Sequence, residues 1–195
     1  YDRYGNVTSL DDKGDVSNPN DDIIARIRYW DSGDDGHYFK AHPERIEVFD
    51  GKSGRLLRKR EGRYDSHTGA ITEVKQYTSS GTHLTYTIDW DERGNIKTLT
   101  SPTGKKVRYR YQDGIYPVKI TEEGSTGGVP YESTLLWDSA LGVKLEETNS
   151  AGNTMKYRYD GFGRVIEVQS PCDDTAGTPC AKYEYHTPAS SFWYT

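Results

Sequence analysis

The chain is poor in the materials that most folds use. Of its 195 residues only 33% are hydrophobic, two are cysteine, one is methionine and eight are proline. No apolar run reaches the roughly 20 residues a spanning helix needs, so a membrane span is not expected. Leucine is sparse, and Gly or Pro interrupts nearly every window of a dozen residues, which leaves no stretch for a long helix. Catalytic signatures are also missing. There is no HExxH, no G-x-S-x-G and no phosphate-binding loop, and His37, His42, His67, His83 and His186 share no metal-ligand spacing. With 30 acidic residues, chance carboxylate pairs are guaranteed and argue for no glycosidase. Neither an enzyme nor a cofactor is expected. The formal net charge is −5 with the signs interspersed. The only basic stretch, Lys105, Lys106, Arg108 and Arg110, alternates with Tyr109 and Tyr111 and reads as a solvated strand face, so no nucleic-acid partner is expected.

What the chain does hold is a repeat. Six times an aromatic residue is followed by Asp and, three or four residues after the Asp, by Gly. The units are Tyr1, Asp2, Gly5; Phe49, Asp50, Gly54; Tyr64, Asp65, Gly69; Trp90, Asp91, Gly94; Trp137, Asp138, Gly142; and Tyr159, Asp160, Gly163. Internal repetition means a fold made by stacking one supersecondary unit. The unit is a β-hairpin: the aromatic closes a strand, Asp bonds the backbone ahead of it, and Gly supplies a positive φ. After Gly5, Gly69, Gly94 and Gly163 the apolar residues fall at the second and fifth positions, as in Ile71 and Val74. A spacing of three does not suit one face of a flat strand, so either a bulge intervenes or both faces are covered.

The strands themselves alternate. Val107, Tyr109 and Tyr111 share one face, as do Met155, Tyr157 and Tyr159, and then Ala181, Tyr183 and Tyr185, with Lys and Arg between them. That is the pattern of half-buried antiparallel strands. We expect an all-β fold with strands at 23–30, 44–50, 54–60, 70–78, 82–90, 95–100, 105–111, 117–122, 131–137, 142–149, 153–160, 164–170 and 181–186. Successive strands pair into one long curved strip or solenoid. The whole of 1–195 reads as a single repeat domain, with 11–22 a flexible acidic loop. An initial Tyr and a lone Met155 suggest a segment of a longer polypeptide.

The motif Tyr157-Arg158-Tyr159-Asp160-Gly161-Phe162-Gly163-Arg164-Val165 resembles the YD repeat of the Rhs family. The opening YDRYGNVTSL and residues 42–74 resemble more narrowly the B-component region of bacterial Tc insecticidal toxins. That resemblance implies a β-sheet strip spiralling into a hollow shell around a toxin polypeptide, secreted or at the bacterial cell surface. Its partners would be the remaining shell repeats and the toxin cargo. The aspartyl self-cleavage motif of many Rhs proteins, DPxGxxD, is absent, so release of a toxin by this segment is not implied. Animal relatives, the teneurins, use similar shells for adhesion.

Other readings compete at particular residues. Cys172 and Cys180 bracket DDTAGTP and either close a disulfide, worth roughly 2–3 kcal/mol by loop entropy, or remain two thiols. A thiolate metal site would need two more ligands, and none lies nearby at suitable spacing. The acidic stretch from Asp11 to Asp22, and Asp31, Asp34 and Asp35, do not match a calcium loop and read as solvated. The alternative function is a cell-surface module that binds glycans, with Trp30, Trp90, Trp137 or Trp193 stacking on sugar rings.

Overall fold

The computed structural model describes residues 1–18, 20–31, 38–124, 127–171 and 180–186. Every regular element among them is a strand, fourteen in all. In chain order these are β1 (Ser9–Asp12), β2 (Ile23–Tyr29), β3 (Pro43–Asp50), β4 (Leu56–Tyr64), β5 (Ile71–Tyr77), β6 (His83–Trp90), β7 (Ile96–Thr100), β8 (Lys106–Gln112), β9 (Tyr116–Glu123), β10 (Tyr131–Asp138), β11 (Val143–Thr148), β12 (Thr154–Tyr159), β13 (Val165–Gln169) and β14 (Ala181–Lys182). The pairing is antiparallel and follows chain order, β1 through β7 in succession and β9 through β14 in succession.

One strand was not expected. β1 takes in Asp11 and Asp12, the first residues of the segment read as an acidic loop, because they pair with Ile24 and Ile23. The rest of that segment is knit by short-range bonds: Asp15 N–H donates to Asp21 and Lys13 pairs with Asp11 and Asp22. At the other end β14 is two residues long rather than six, and Tyr183 and Tyr185 lie exposed beyond it. β4 runs further than expected, to Tyr64.

The described chain divides into two compact units, Tyr1–Lys106 and Val107–Thr195, where the sequence reads as one run of repeats. In the first unit, register places Ile27, Ile46, Val74, Tyr64, Ile88 and Leu99 on one face. Arg45, Lys59, Glu61, Glu73 and Lys75 take the other. The second unit repeats the scheme with Leu135, Trp137, Met155, Tyr157, Tyr159 and Val168 against Lys156, Arg158 and Glu167. No apolar side chain among the described residues is fully buried; Thr98, at 5% exposure, and Gly69 are the residues of any kind that are. Apart from Tyr1, the repeat aromatics are half-buried, not the sealed interior of a two-layer domain.

Candidate functional site

Each repeat turn is a clasp made by its Asp. In the short units, with Gly three residues after Asp, one carboxylate oxygen accepts two backbone N–H groups. For Asp91 they come from Arg93 and Asn95, at 2.9 and 2.8 Å. Asp2 and Asp160 repeat this with Tyr4 and Asn6, and with Phe162 and Arg164. The second oxygen takes the side chain that follows the glycine: Asn6 at 2.9 Å, Asn95 at 3.0 Å and Arg164 Nε at 2.7 Å. The long units, with one more residue before Gly, use a hydroxyl where one is available. Asp50 accepts from Ser53 and Asp65 from Thr68, through both backbone and side chain. Asp138, with Leu141 where the others have Ser53 or Thr68, accepts from the backbone of Ala140 and Leu141. These bonds favour the ionised form. Backbone donation from Asn95, Thr68, Ser53 and Arg164 holds Asp91, Asp65, Asp50 and Asp160 below the usual carboxylate range.

The odd apolar spacing has a single cause. In five units one residue of the returning strand is skipped in the register: Leu57, Thr72, Lys97, Leu145 and Ile166, always the third after the glycine. A one-residue bulge at that place puts the second and fifth residues on the same face as the repeat aromatic. Of the two explanations left open by the sequence, the bulge is the one realised.

The bulge also sets up the aromatic. Trp90 Nε1 donates to the carbonyl of Ile71 at 2.7 Å, and Ile71 is the residue paired with the preceding repeat aromatic, Tyr64, just ahead of the skipped Thr72. In the same unit Tyr64 donates to Pro43 at 2.8 Å and Tyr29 to Val7 at 3.0 Å. The second unit has Trp137 to Pro117 at 2.8 Å, Tyr159 to Lys144 at 2.6 Å and Tyr185 to Val165 at 2.9 Å. Donor and acceptor lie 15 to 22 residues apart, the length of one hairpin. Trp and Tyr thus serve twice, as apolar plates and as donors to a backbone carbonyl one hairpin back, which for Ile71, Pro43, Lys144 and Val165 lies beside a bulge.

Against this geometry the comparisons are specific about fold. The chain is similar to the solved structure of TcdB2-TccC3-Cdc42, with a TM-score of 0.56 and 15% identity over 85% of this chain. It matches TcdB2-TccC3 without its hypervariable C-terminal region equally well. The likeness is one of fold, shared with a stretch of those TcdB2-TccC3 structures. The chain spans about a tenth of the length of those Tc-toxin chains, covering 10% of each. No protein-family model matches the chain, and no curated protein does.

Two repeat positions depart from the rule. Phe49 closes β3, which runs opposite to β2, β4 and β6, so its turn lies at the other margin of the first unit; it lacks a donor and instead carries Arg26 5.0 Å above its ring. Tyr1 is exposed. In the Trp137 unit the second and fifth positions after Gly142 are Lys144 and Glu147, which form an ion pair on the face where four other units carry aliphatic residues. Lys144 also lies 4.9 Å from the Tyr157 ring. Burial is the largest single influence and works against the ammonium charge, but the bond and charge of Glu147 together with Tyr157 overcome it and raise Lys144 above the usual range.

The polar face of the first unit converges on Glu61. Tyr77 donates to it at 2.6 Å, Arg45 at 2.9 Å, and Lys59 pairs with it at 3.0 Å. The Tyr77 hydroxyl first, then Lys59 and Arg45, bring its carboxyl down to about 2 against a smaller opposing effect of burial.

The tryptophans named for sugar stacking are engaged elsewhere. Trp90 and Trp137 are tied to carbonyls, and Trp137 stacks on Tyr116 at 5.4 Å. Trp30 stacks between Phe39 and Tyr64, at 5.9 and 5.6 Å, with His42 edge-on to both Phe39 and Tyr64. No sequence pattern foretold that cluster, because its members come from the ends of β2 and β4 and from the loop between β2 and β3. Cys172, Asp34, Asp35, His37 and Trp193 lie outside the described residues, so the pairing of Cys172 with the exposed Cys180 falls there as well. Among the described residues no group of three or more His, Cys, Asp or Glu is placed to hold a metal ion, and no helix is long and apolar enough to cross a membrane.

Proposed function

We propose that this chain is a structural segment of an Rhs/YD-repeat toxin shell, part of the wall that encloses a toxin polypeptide. The observation that carries the reading is the likeness to TcdB2-TccC3 over 85% of the chain, joined to a repeat whose conspicuous side chains are spent on holding hairpins to one another. A wall needs this. Its turns must be rigid, its successive hairpins must be locked, and its faces need no sealed interior of their own because neighbouring repeats and cargo lie beyond them. The segment works without catalysis. Its partners are the other shell repeats and the enclosed polypeptide, and its setting is outside the producing cell or on its surface.

The test is limited proteolysis of the toxin complex that carries this segment. The cargo should resist protease in the native complex and become cleavable when Trp90→Ala and Tyr159→Ala together loosen the wall. A cargo cleaved equally fast with and without those substitutions contradicts the reading.

A further inference from the structure

One feature of the first unit serves neither the clasps nor the ties. Beside the opening turn, two shallow cavities of about 310 and 260 Å³ share a wall formed by Tyr4 and Lys40. Tyr4 and Tyr38 stand at 83° to one another with ring centres 5.9 Å apart, an open corner of two aromatic plates. Tyr38 is 72% exposed and Tyr4 38% exposed, so neither ring is placed there by burial. Exposed aromatics held in fixed geometry are costly to order and contribute little to folding, which marks them as contact groups.

The corner is rigid. Asn6 donates to the carbonyl of Lys40 at 2.7 Å and to the Asp2 clasp at 2.9 Å, joining the turn to the strand-connecting segment. Phe39 and His42, which flank Lys40 in the chain, belong to the cluster with Trp30 and Tyr64. Charge is distributed unevenly. Asp2 is saturated by its turn, Lys40 pairs with Asp31, and Arg28 with Glu44 at 3.0 Å. Arg3 forms no ion pair among the described residues. Its guanidinium lies 4.7 Å over the Tyr4 ring and bonds the Tyr4 hydroxyl, which leaves several N–H donors directed outward.

We propose that this corner binds a saccharide that carries a carboxylate. A pyranose presents an apolar C–H face that packs on an aromatic plate, and Tyr38 offers one. Arg3, in the wall of the larger cavity, presents the planar fork that receives a carboxylate through paired N–H bonds; Lys40, common to both cavities and 5.9 Å from both rings, has its charge met by Asp31. A neutral sugar would use the plates and leave Arg3 unmatched. A simple anion would use Arg3 and leave the plates bare. The site is independent of the shell reading, since it uses no tie and no repeat contact between hairpins.

The experiment is titration of the chain with N-acetylneuraminic acid and glucuronic acid, with glucose as the neutral comparator, followed by saturation-transfer NMR. Both acids should bind saturably and glucose at least about tenfold more weakly, the difference one charge-assisted bidentate contact supplies. Arg3→Ala should weaken acid binding by about tenfold or more and Tyr38→Ala should abolish it. Arg3→Lys and Tyr38→Phe serve as conservative controls, the first retaining charge without the fork and the second retaining the plate. Because both residues are exposed, the thermal midpoints should not move. Absence of saturable binding up to about 10 mM of either acid overturns the proposal. So does glucose binding as tightly as the acids, or acid binding that survives Arg3→Ala and Tyr38→Ala.

Discussion

The indole N–H of Trp90 donates to the carbonyl of Ile71, 2.7 Å away in the strand that leaves the preceding turn. Ile71 is also the register partner of Tyr64, which in turn donates to Pro43. Each hairpin is thereby bonded to its predecessor at the place where a bulge interrupts the ladder. Trp90→Phe keeps most of the apolar plate and removes the donor. It should cost about 1–3 kcal/mol, the penalty for leaving a partly buried carbonyl without its partner. Urea unfolding followed by circular dichroism checks this; an unchanged midpoint would mean the tie holds nothing.

Tyr159→Phe makes the parallel case in the second unit by deleting the 2.6 Å bond to Lys144. A loss of about 1 kcal/mol is expected. Tyr159→Ala, which also removes a half-buried ring, should cost more but fall short of the roughly 3–5 kcal/mol typical of a sealed core aromatic. Thermal unfolding of the pair separates the bond from the plate.

Gly69 and Gly163 should respond differently to alanine. Both have positive φ, +71° and +76°. A Cβ at Gly163 would approach only Val143, at 3.7 Å, so Gly163→Ala should cost the backbone strain alone, about 1–2 kcal/mol. At Gly69 the Cβ would stand 2.7 Å from the Phe39 ring, which stacks on Trp30. Gly69→Ala should be clearly the worse of the two by denaturant midpoint. Equal losses would show that the aromatic cluster yields freely.

Acid should weaken the first unit through Glu61. Its carboxyl is lowered from 4.5 to about 2 by the Tyr77 hydroxyl, then Lys59 and Arg45, so the folded state holds its proton less readily than the unfolded chain. The stability this contributes is fully present above about 4.5 and is lost as pH falls toward 2. The clasp carboxylates Asp50, Asp65, Asp91 and Asp160 act in the same direction. Urea midpoints at neutral pH and near pH 3 should differ, and Glu61→Gln should shrink the difference. A pH dependence identical to that of the unsubstituted chain would remove Glu61 from the account.

The ion pair Lys144–Glu147 occupies positions that are aliphatic after Gly5, Gly69, Gly94 and Gly163. Replacing both with Leu should be neutral or stabilising, while Lys144→Leu or Glu147→Leu alone should destabilise by stranding the other charge on a half-buried face. A double-mutant cycle in thermal unfolding measures the coupling. A double substitution worse than the sum of the singles would contradict this reading.

Much of the fold was legible because the hairpin writes itself locally. Asp91 and Gly94 fix a turn within four residues, and the period-two pattern of Val107, Tyr109 and Tyr111 marks a strand with one wet face. Even the bulge left a trace in the spacing of Ile96 and Leu99. The ties were less accessible, since their acceptors are backbone carbonyls a whole hairpin away. A signal did exist: Trp or Tyr, each with a donor, closes β2, β4, β6, β10 and β12, whereas Phe49 closes β3 at the opposite margin. Asp11 and Asp12 misled in the other direction, because acidic residues in a strand are explained only by their partners Ile24 and Ile23. The Tyr4 and Tyr38 corner could not be read at all, being assembled from a turn and a segment more than thirty residues apart.

The central claim is that these hairpins form part of a wall around another polypeptide. Electron cryomicroscopy of the assembled toxin complex tests it directly. The account predicts this segment continuous with neighbouring repeats through the same aromatic-to-carbonyl bonds, with density for an enclosed chain against one of its faces. A segment standing away from the rest, with solvent on both faces, would contradict it.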